Sequence, residues 1–379
     1  MTAELILTGG RVIDSAQGID RVAEVAFKDG KVLEIGDALP RGPATDVRDV
    51  SGRIVSPGLI DMHTHVYWGG TSLGIDAEEF CRNSGVTTAV DTGSAGPGNF
   101  AGFRRHVIEP SQVRILAYLH VSHSGIWGFG RRVMVGESED IRLMDPIGAA
   151  EVAAGNRDVV VGIKVRLGRH ASGMQGMNAF EFARQAAEEA GLPMMVHIDE
   201  PPPSYEELVS AMRPRDVLTH CFRPFPNCPA TAQGTVKQAV QDARGRGVLF
   251  DVGHGMGSFS FKTTRAMLAN GFLPDTISSD IHQLCIDGPA YDQVTTLSKF
   301  LCMGIDLPEV LKMSTENAGL MLGRPELGTL KPGVPGDATI LRIDEGRFVY
   351  EDVTGEEMVG DRRIFSEGVV LNGKWWHPT

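Results

Sequence analysis

Residues 58–65 read GLIDMHTH, so an apolar run ends in two histidines separated by one residue. The apolar run predicts a β-strand, and residues two apart on a strand point to the same face. His63 and His65 are therefore expected to direct their imidazoles to one point at the end of that strand. Neutral imidazole is a common ligand for zinc and similar ions, although such a pair can also be satisfied by hydrogen bonds alone.

The middle of the chain alternates strand-like and helical patterns. Residues 179–190, closed by Gly191 and Pro193, predict the clearest helix, and residues 307–322 predict the last one. Strands that alternate with helices form parallel sheets, and eight such units indicate a (β/α)8 TIM-like barrel of the α/β class. Besides the strand with the two histidines, the predicted strands are residues 86–91, 114–120, 159–165, 193–197, 216–220, 247–252 and 276–280.

The two ends of the chain have the alternating patterns and turns of β-structure. Asp29-Gly30 separates two strand-like runs near the start, and Asn372-Gly373 separates two near the end, which are strong hairpin signals. Neither end has enough strands to bury a core alone. We therefore expect residues 1–56 and 326–379 to form one small β-sandwich domain, with the barrel domain inserted at residues 57–325.

Length, charge and cysteine content narrow the class of protein. The 379 residues fit one barrel of roughly 250 residues plus a smaller domain. A net charge of −12 argues against nucleic acid or an anionic membrane as the partner, and no apolar run is long enough to span a bilayer. The first residues lack the features of a signal peptide, and the five cysteines show no CxxC spacing, so we expect free thiols in the cytoplasm.

Four of the later strands carry further polar side chains at or near their ends. Lys164 lies in the fourth strand, His197 ends the fifth, His220 ends the sixth and Asp280 ends the eighth. Each has an ordinary structural explanation, since a lysine can extend to the rim, a histidine can be satisfied in the core and an aspartate can cap a turn. The carboxyl ends of barrel strands all meet at one mouth, however, so the whole set indicates a metal site.

Lys164 needs a chemical change before it can bind a metal, because an ammonium group has no lone pair. Burial lowers the pKa of a lysine, and the neutral amine can add CO2 to give a carbamate, which acts as a bidentate carboxylate. A carboxylated Lys164 can bridge two cations, which predicts two divalent metal ions, expected to be zinc, with a hydroxide between them. The expected ligands besides Lys164 are His63, His65 and Asp280 for one ion, and His197 and His220 for the other.

These residues together resemble those of the amidohydrolase superfamily of metal-dependent hydrolases. The resemblance rests on SPGLIDMHTH at residues 56–65, on the later members of the metal set and on LKPGVPGDA at residues 330–338. It implies attack on a carbonyl by metal-activated hydroxide, with Asp280 as metal ligand and proton shuttle. GIKVR at residues 162–166 and DVGHG at residues 251–255 look like a group often labelled dihydroorotase or adenine deaminase. The resemblance implies that such members deacetylate acetylated 2-hydroxy acids, with acetyl-(R)-mandelate as the type substrate.

Other functions remain open at this point. A cyclic amide hydrolase of the dihydroorotase kind would use the same metal set. A single-metal, adenine-type deaminase would not need Lys164, and a non-catalytic relative would be expected to have lost ligands. For every enzymatic alternative we expect a small-molecule substrate, and oligomer statistics favour a homo-oligomer.

Several residues near the predicted mouth are candidates for substrate binding. Arg166 can bind the carboxylate of a 2-hydroxy acid or form a structural ion pair at the rim, and Arg169 and Arg131 are alternatives to it. Tyr67 and the neighbouring Trp68 can form the wall of an aryl pocket or pack under a loop. The remaining candidates, which can orient the substrate or serve as structural hydrogen-bonding residues, are His123, His254 and His282.

Overall fold

The computed structural model describes residues 2–376, which contain two β-sheets and the helices that connect their strands. The strands are β1 (Leu5–Asp14), β2 (Ile19–Lys28), β3 (Lys31–Gly36), β4 (Asp46–Asp49), β5 (Ile54–Pro57), β6 (Leu59–Thr64), β7 (Val86–Thr92), β8 (Arg114–His120), β9 (Val160–Leu167), β10 (Met194–Ile198), β11 (Val217–Leu218), β12 (Leu249–Phe250), β13 (Ala338–Glu351), β14 (Glu357–Leu371) and β15 (Lys374–Trp375). The α-helices are α1 (Ala77–Ser84), α2 (Phe100–Phe103), α3 (Pro146–Gly155), α4 (Asn178–Ala190), α5 (Tyr205–Ala211), α6 (Gln238–Gly245), α7 (Phe261–Ala269), α8 (Gln293–Cys302), α9 (Leu307–Lys312) and α10 (Glu316–Met321).

Strands from both ends of the chain share one sheet, in the order β15-β14-β13-β5-β1-β2-β3, with β4 paired to β1. The ends meet where β13 runs antiparallel to β5, with Ala338 opposite Pro57. Val12 and Phe27 from the start of the chain share a buried cluster with Ile340 from its end. The expected joint packing is confirmed. The strands are hydrogen bonded into one sheet, because β1 pairs with β2 and also with β4 and β5.

Both predicted hairpin turns are confirmed. Asp29 and Gly30 join β2 to β3 with φ of 50° and 73°, and Asn372 and Gly373 join β14 to β15 with φ of 49° and 75°. A two-residue hairpin of this kind needs positive φ at both residues, which glycine adopts freely and Asn or Asp tolerates. Local sequence therefore decides these two turns.

The middle of the chain forms a curled parallel sheet in the order β12-β11-β10-β9-β8-β7-β6. Its seven strands include β6, which carries His63 and ends one residue before His65, and six of the seven strands predicted after it. The strands predicted at residues 216–220 and 247–252 shorten to two residues each in β11 and β12. All the parallel strands point their carboxyl ends to the same side, which is the side where the predicted metal ligands lie.

The eighth predicted strand, at residues 276–280, is wrong as a continuous strand. Single bridges at Thr276 and Ile281 link this segment to the two sides of the parallel sheet. Between the bridges, the backbone N–H of Ser279 donates to the carboxylate of Asp61 at 3.0 Å, so it is not available to a strand ladder. Asp280 then adopts a left-handed conformation with φ of 49°, which ends any extended backbone.

The two helix predictions have different outcomes. The helix at residues 179–190 is confirmed as α4, and Gly191 ends it in the left-handed conformation with φ of 62°. The single helix predicted at residues 307–322 is wrong, because α9 and α10 are separate. Between them Ser314 pairs with β6: its carbonyl accepts from the N–H of Ile60 at 2.8 Å, and its hydroxyl donates to the carbonyl of Ile60 at 3.0 Å. Those contacts hold residue 314 out of a continuous helix.

The cysteines are free thiols, as predicted, and four of the five are buried. Burial raises the pKa of the Cys81 and Cys221 thiols well above the ordinary value, so these groups stay protonated. Among the helices between residues 2 and 376, none is long and apolar enough to cross a membrane.

A buried carboxylate also joins the two ends of the chain. Asp14, the last residue of β1, accepts hydrogen bonds from the N–H of Leu330 at 2.7 Å and from the hydroxyl of Thr329 at 2.9 Å. Its side chain is fully buried. Loss of this acceptor would leave two donors unsatisfied in a place that water does not reach.

We expect Asp14→Ala to lower the free energy of unfolding by about 1–3 kcal/mol, because it leaves buried donors unpaired. Urea denaturation followed by circular dichroism measures the change. Asp20→Ala is the matched control, since Asp20 makes an exposed ion pair with Arg11 at 2.6 Å, and such pairs contribute at most about 1 kcal/mol. Equal losses in both variants would contradict a structural role for the buried carboxylate.

Candidate metal centre

The structure brings all six predicted metal ligands to one cavity of about 340 Å³ at the carboxyl ends of the parallel strands. They come from β6 and the residue that follows it, from β9 and β10, and from the segments that follow β11 and precede α8. All six side chains are buried. The residues that line the cavity from this set are His63, His65, Lys164, His197, His220 and Asp280.

Three of these residues form the closest group. The Nε2 atoms of His63 and His65 each lie 3.2 Å from Oδ1 of Asp280. One ligand atom from each of the three residues lies within 4.8 Å of the others, which is a spacing that a single cation can bridge. His197 and His220 pack next to this group, with their ring centroids 4.5 Å apart.

The hydrogen bonds of His63 decide which of its nitrogens carries the proton. Nδ1 of His63 lies 2.7 Å from the hydroxyl oxygen of Thr219, and that hydroxyl donates its own hydrogen to Asp251 at 2.9 Å. Nδ1 of His63 must therefore be the donor to Thr219. Because burial lowers the pKa of His63 well below its ordinary value, the imidazole is neutral and its Nε2 carries a lone pair.

The same reasoning applies to two further histidines. Nδ1 of His220 donates to the carbonyl of Gly253 at 2.7 Å, since a carbonyl can only accept. Nδ1 of His65 lies 2.9 Å from the hydroxyl of Ser94, which is itself hydrogen bonded to Asp91. Burial lowers the pKa of His65 to about 3, and burial also lowers the pKa of His220 well below its usual value. All three imidazoles thus present Nε2 lone pairs.

This donor set fits a metal ion. Two Nε2 lone pairs face one carboxylate oxygen of Asp280 at 3.2 Å, and such electron-rich atoms repel each other unless a cation lies among them. In addition, Nε2 of His197 and Nζ of Lys164 are buried and have no hydrogen-bond partner among the described residues. Buried polar atoms without partners are uncommon, and here they surround the same cavity.

Lys164 is fully buried, and burial is the main cause that lowers its pKa to about 7. A substantial fraction of the amine is therefore neutral near pH 7. The side chain has room because residue 93 is glycine: a Cβ there would lie 2.6 Å from Cγ of Lys164. The residue also lines the cavity, and its amine has no hydrogen-bond partner among the described residues, so the environment fits the predicted carboxylation.

Two of the candidate ligands have a left-handed backbone conformation, which residues other than glycine rarely adopt. His220 has φ of 64° and Asp280 has φ of 49°. A left-handed residue of this kind costs of order 1–3 kcal/mol and persists where the surrounding structure determines it. Both residues are thus turned to the cavity at the expense of local stability.

Two of the predicted substrate-binding residues line the cavity. Arg166 donates from Nη1 to Glu137 at 3.2 Å, and its guanidinium lies 4.8 Å from the ring centre of Phe129. His282 has its ring centre 6.0 Å from that of His65, and burial lowers its pKa to about 4. A neutral His282 can therefore exchange hydrogen bonds with a substrate.

The other three predicted substrate contacts lie outside the cavity lining. His254 is enclosed against Phe259 and accepts from Nζ of Lys299 at 2.7 Å. His123 is exposed and pairs with Asp145 at 3.0 Å. Tyr67 packs on a neighbouring phenylalanine and donates to a backbone carbonyl at 3.3 Å. Their positions therefore give no support to direct substrate contact.

Sequence reasoning missed Arg223 and the residues that form the apolar wall of the cavity. Arg223 lies three residues after the predicted ligand His220, and Arg166 lies two residues after the predicted ligand Lys164. An arginine shortly after a predicted metal ligand was therefore a usable signal. The apolar residues come from loops whose course has no sequence signature. The missed residues that line the cavity are Leu73, Ile126, Phe129, Met134, His170, Asp199, Glu200, Arg223, Met256, Gly257 and Ser258.

Comparison with known proteins agrees with this geometry. The profile of the Amidohydrolase family matches residues 54–218. A protein of Agrobacterium fabrum named deacetylase is 33% identical over 358 residues, which cover 94% of this chain and 87% of the relative. A crystal structure titled as a dihydroorotase superposes with a TM-score of 0.90 at 31% identity over 99% of both chains. Another, titled as an adenine deaminase, has a TM-score of 0.91 at 27% identity over 99% of this chain and 100% of its own.

The chain therefore belongs to the amidohydrolase family, and it is a hydrolytic enzyme. The fold is that of its structural relatives, with a curled parallel sheet and a separate sheet built from the chain ends. The candidate triad of His63, His65 and Asp280 lies where the family resemblance placed metal ligands.

Gly255 tests the geometry of this triad. It has φ of +54°, and a Cβ on it would lie 2.2 Å from Oδ2 of Asp280. Gly255→Ala should displace Asp280 and weaken zinc binding at least about tenfold, because the added Cβ would clash with the carboxylate of a candidate ligand. Competition with a chromophoric chelator measures the affinity. Gly257→Ala is the control in the same loop, because nothing lies within 4 Å of its Cβ position. Equal affinities in the two variants would contradict the arrangement.

Proposed function

We propose that this protein is a binuclear metal-dependent hydrolase that deacetylates acetyl esters of 2-hydroxy acids, with acetyl-(R)-mandelate as a model substrate. The convergence of the six polar side chains on one cavity carries the proposal. The relative named deacetylase, at 33% identity over 94% of the chain, supports the acetyl specificity. We further propose that the enzyme acts on a small molecule, as a homo-oligomer in the cytoplasm.

The donor set suggests how two divalent ions, which we expect to be zinc, would be held. His63, His65 and Asp280 would hold one ion, and His197 and His220 would hold the other. A carbamate on Lys164 would serve both ions. When bound, such ions lower the pKa of water and polarise a carbonyl group.

Asp280 is the residue placed to move a proton. Its Oδ1 lies among the imidazoles, and its carboxylate lines the cavity where a substrate carbonyl must enter. We infer that Asp280 accepts the proton released when water attacks the acetyl carbon and then delivers it to the departing alkoxide oxygen. The left-handed backbone of residue 280 directs the carboxylate to this position, and Gly255 leaves room for it because glycine has no Cβ.

The cavity wall suits an acid with an apolar substituent. Phe129 and Met134 from the loop after β8, and Leu73 from the loop after β6, face the same space as the polar groups. Tyr67 and Trp68, the candidates from the sequence for an aryl pocket, are not among the residues that line this cavity. Apolar side chains on one side also limit the access of bulk water to the reacting carbonyl.

Lys164 favours the binuclear alternative over a single-metal deaminase, although one structural relative is titled adenine deaminase. A single-metal site needs only His-x-His, other histidines and an aspartate. Such a site would not explain a buried lysine without a hydrogen-bond partner. Cyclic amide hydrolysis is the second candidate, because the relative titled dihydroorotase superposes over 99% of the chain. Ester and cyclic amide hydrolysis differ in the leaving group, so substrate tests separate them.

We expect Lys164→Ala to lose metal and to lower kcat/KM at least about 100-fold, with partial rescue by acetate or propionate in place of the carbamate. In the wild type, 13C-bicarbonate should give one carbamate resonance by NMR, and Lys164→Ala should lack it.

Lys299 is the internal control. Burial also lowers its pKa to about 7, but it donates to two carbonyls and to His254 within 2.8 Å, so it has no free amine. Full activity in Lys164→Ala would indicate a one-metal enzyme.

The zinc-loaded protein should hydrolyse acetyl-(R)-mandelate rapidly and open dihydroorotate at least about 100-fold more slowly, because the site is expected to serve an alkoxide leaving group. Removal of metal with a chelator should abolish acetate release, and zinc should restore it. Acetate release and the absorbance of dihydroorotate measure the two reactions. Fast turnover of dihydroorotate would overturn the deacetylase proposal, and activity that survives complete metal removal would overturn the metal-dependent mechanism.

A further inference from the structure

Two arginines line the cavity, and each is only 7% exposed. Arg166 has a counterion within the protein. Its Nη1 donates to one oxygen of Glu137 at 3.2 Å, and the other oxygen of Glu137 lies 3.1 Å from Nε2 of His120. Both Glu137 and His120 are buried. The charge of Arg166 is therefore balanced before any substrate enters.

Arg223 differs from Arg166 in this respect. Its Nη1 donates to the backbone carbonyl of Asn227 at 2.6 Å, whereas its Nε is buried and has no hydrogen-bond partner. Among the described residues, no carboxylate forms an ion pair with Arg223 within 4.0 Å. Burial lowers the pKa of the guanidinium, and the carboxylates of Asp199 and Glu200, which line the same cavity, oppose that shift only through space. The structure thus holds a buried cation without a contacting anion.

The position of Arg223 is fixed before substrate binds. Its backbone N–H donates to the carbonyl of His220 at 3.1 Å, and its own carbonyl accepts from the hydroxyl of Thr263 at 3.0 Å. The side chain is held by Asn227, whose amide also donates to the carbonyl of Asp199 at 2.8 Å. A cation held in this way loses little side-chain entropy when it binds a ligand.

We propose that Arg223, and not Arg166, binds the carboxylate of the substrate. This assignment rests on the proposed deacetylation of 2-hydroxy acids. A buried charge without a partner is unfavourable, and a carboxylate in the cavity would compensate it with charge-assisted hydrogen bonds. Arg166 would have to divide its donors between the substrate and Glu137, so its main role is to support the cavity wall at Phe129.

Matched variants of the two arginines test the assignment with acetyl-(R)-mandelate and its neutral methyl ester. Arg223→Met should raise KM for the anionic substrate about 10- to 100-fold and change KM for the neutral ester by less than about threefold, because only the anion loses a charge-assisted bond. Arg223→Lys should restore part of the difference. Arg166→Met should affect both substrates to the same extent. The reverse pattern, with Arg166→Met selective for the anion, would overturn the proposal.

Thermal unfolding separates a ligand-binding role from a structural one. Arg223→Met removes a buried charge that has no ion pair and also one hydrogen bond to the carbonyl of Asn227, so Tm should fall less than in Arg166→Met. Arg166→Met leaves Glu137 buried without its cation, so Tm should fall. A fall in Tm for Arg223→Met as large as that for Arg166→Met would show that Arg223 is a structural residue, and the proposal would be wrong.

Binding of a product analogue distinguishes failure of this assignment from failure of the proposed function. Calorimetry with (R)-mandelate and neutral mandelamide requires no turnover. Zinc-loaded wild type should bind mandelate, and Arg223→Met should lose about 10- to 100-fold of that affinity while binding mandelamide unchanged. If no acetyl ester is hydrolysed but this difference persists, only the deacetylase function fails. If esters are hydrolysed but mandelate binding does not depend on Arg223, only the assignment fails.

Discussion

The site depends on the convergence of two imidazole lone pairs on one carboxylate oxygen. His63 and His65 each bring Nε2 to 3.2 Å from Oδ1 of Asp280, which is favourable only with a cation among them. The arrangement persists because each imidazole is held from its other nitrogen, by Thr219 in one case and by Ser94 in the other. These outer hydrogen bonds fix both tautomer and orientation, so the ligand atoms are arranged by the protein itself.

Asp251 joins this support to the fold. It accepts hydrogen bonds from Thr219 at 2.9 Å, from Thr276 at 2.7 Å and from Ser278 at 2.8 Å. These residues come from the end of β11 and from the segment that lies between the two sides of the parallel sheet. Burial raises the pKa of Asp251 to about 6, although the hydroxyl donors oppose that shift. One buried carboxylate therefore positions a histidine and at the same time anchors the irregular segment that carries Asp280.

The polar groups and the apolar groups of the cavity have different origins. The four candidate histidine ligands lie at strand ends or in the first residues after them, Lys164 lies within β9, and Asp280 lies in the irregular segment, whereas Leu73, Phe129 and Met134 come from loops. A rigid set of strand ends with variable loops can support several related reactions. That division is consistent with similar folds among relatives named deacetylase, dihydroorotase and adenine deaminase. The two cavity arginines also come from different kinds of element, since Arg166 lies on a strand, β9, and Arg223 lies in the turn after His220.

The sequence by itself determined the features that depend on short-range patterns. These include the Asp29-Gly30 hairpin, helix α4, the parallel order of the strands and the grouping of the six polar residues at one end of them. Only the tertiary structure decided features that depend on distant partners. Asp61 takes the N–H of Ser279 away from a strand ladder, and Ser314 separates α9 from α10 by pairing with β6. Loop folding likewise encloses His254 and leaves Arg223 buried without a contacting carboxylate among the described residues, because burial and charge balance arise from residues far apart in the chain.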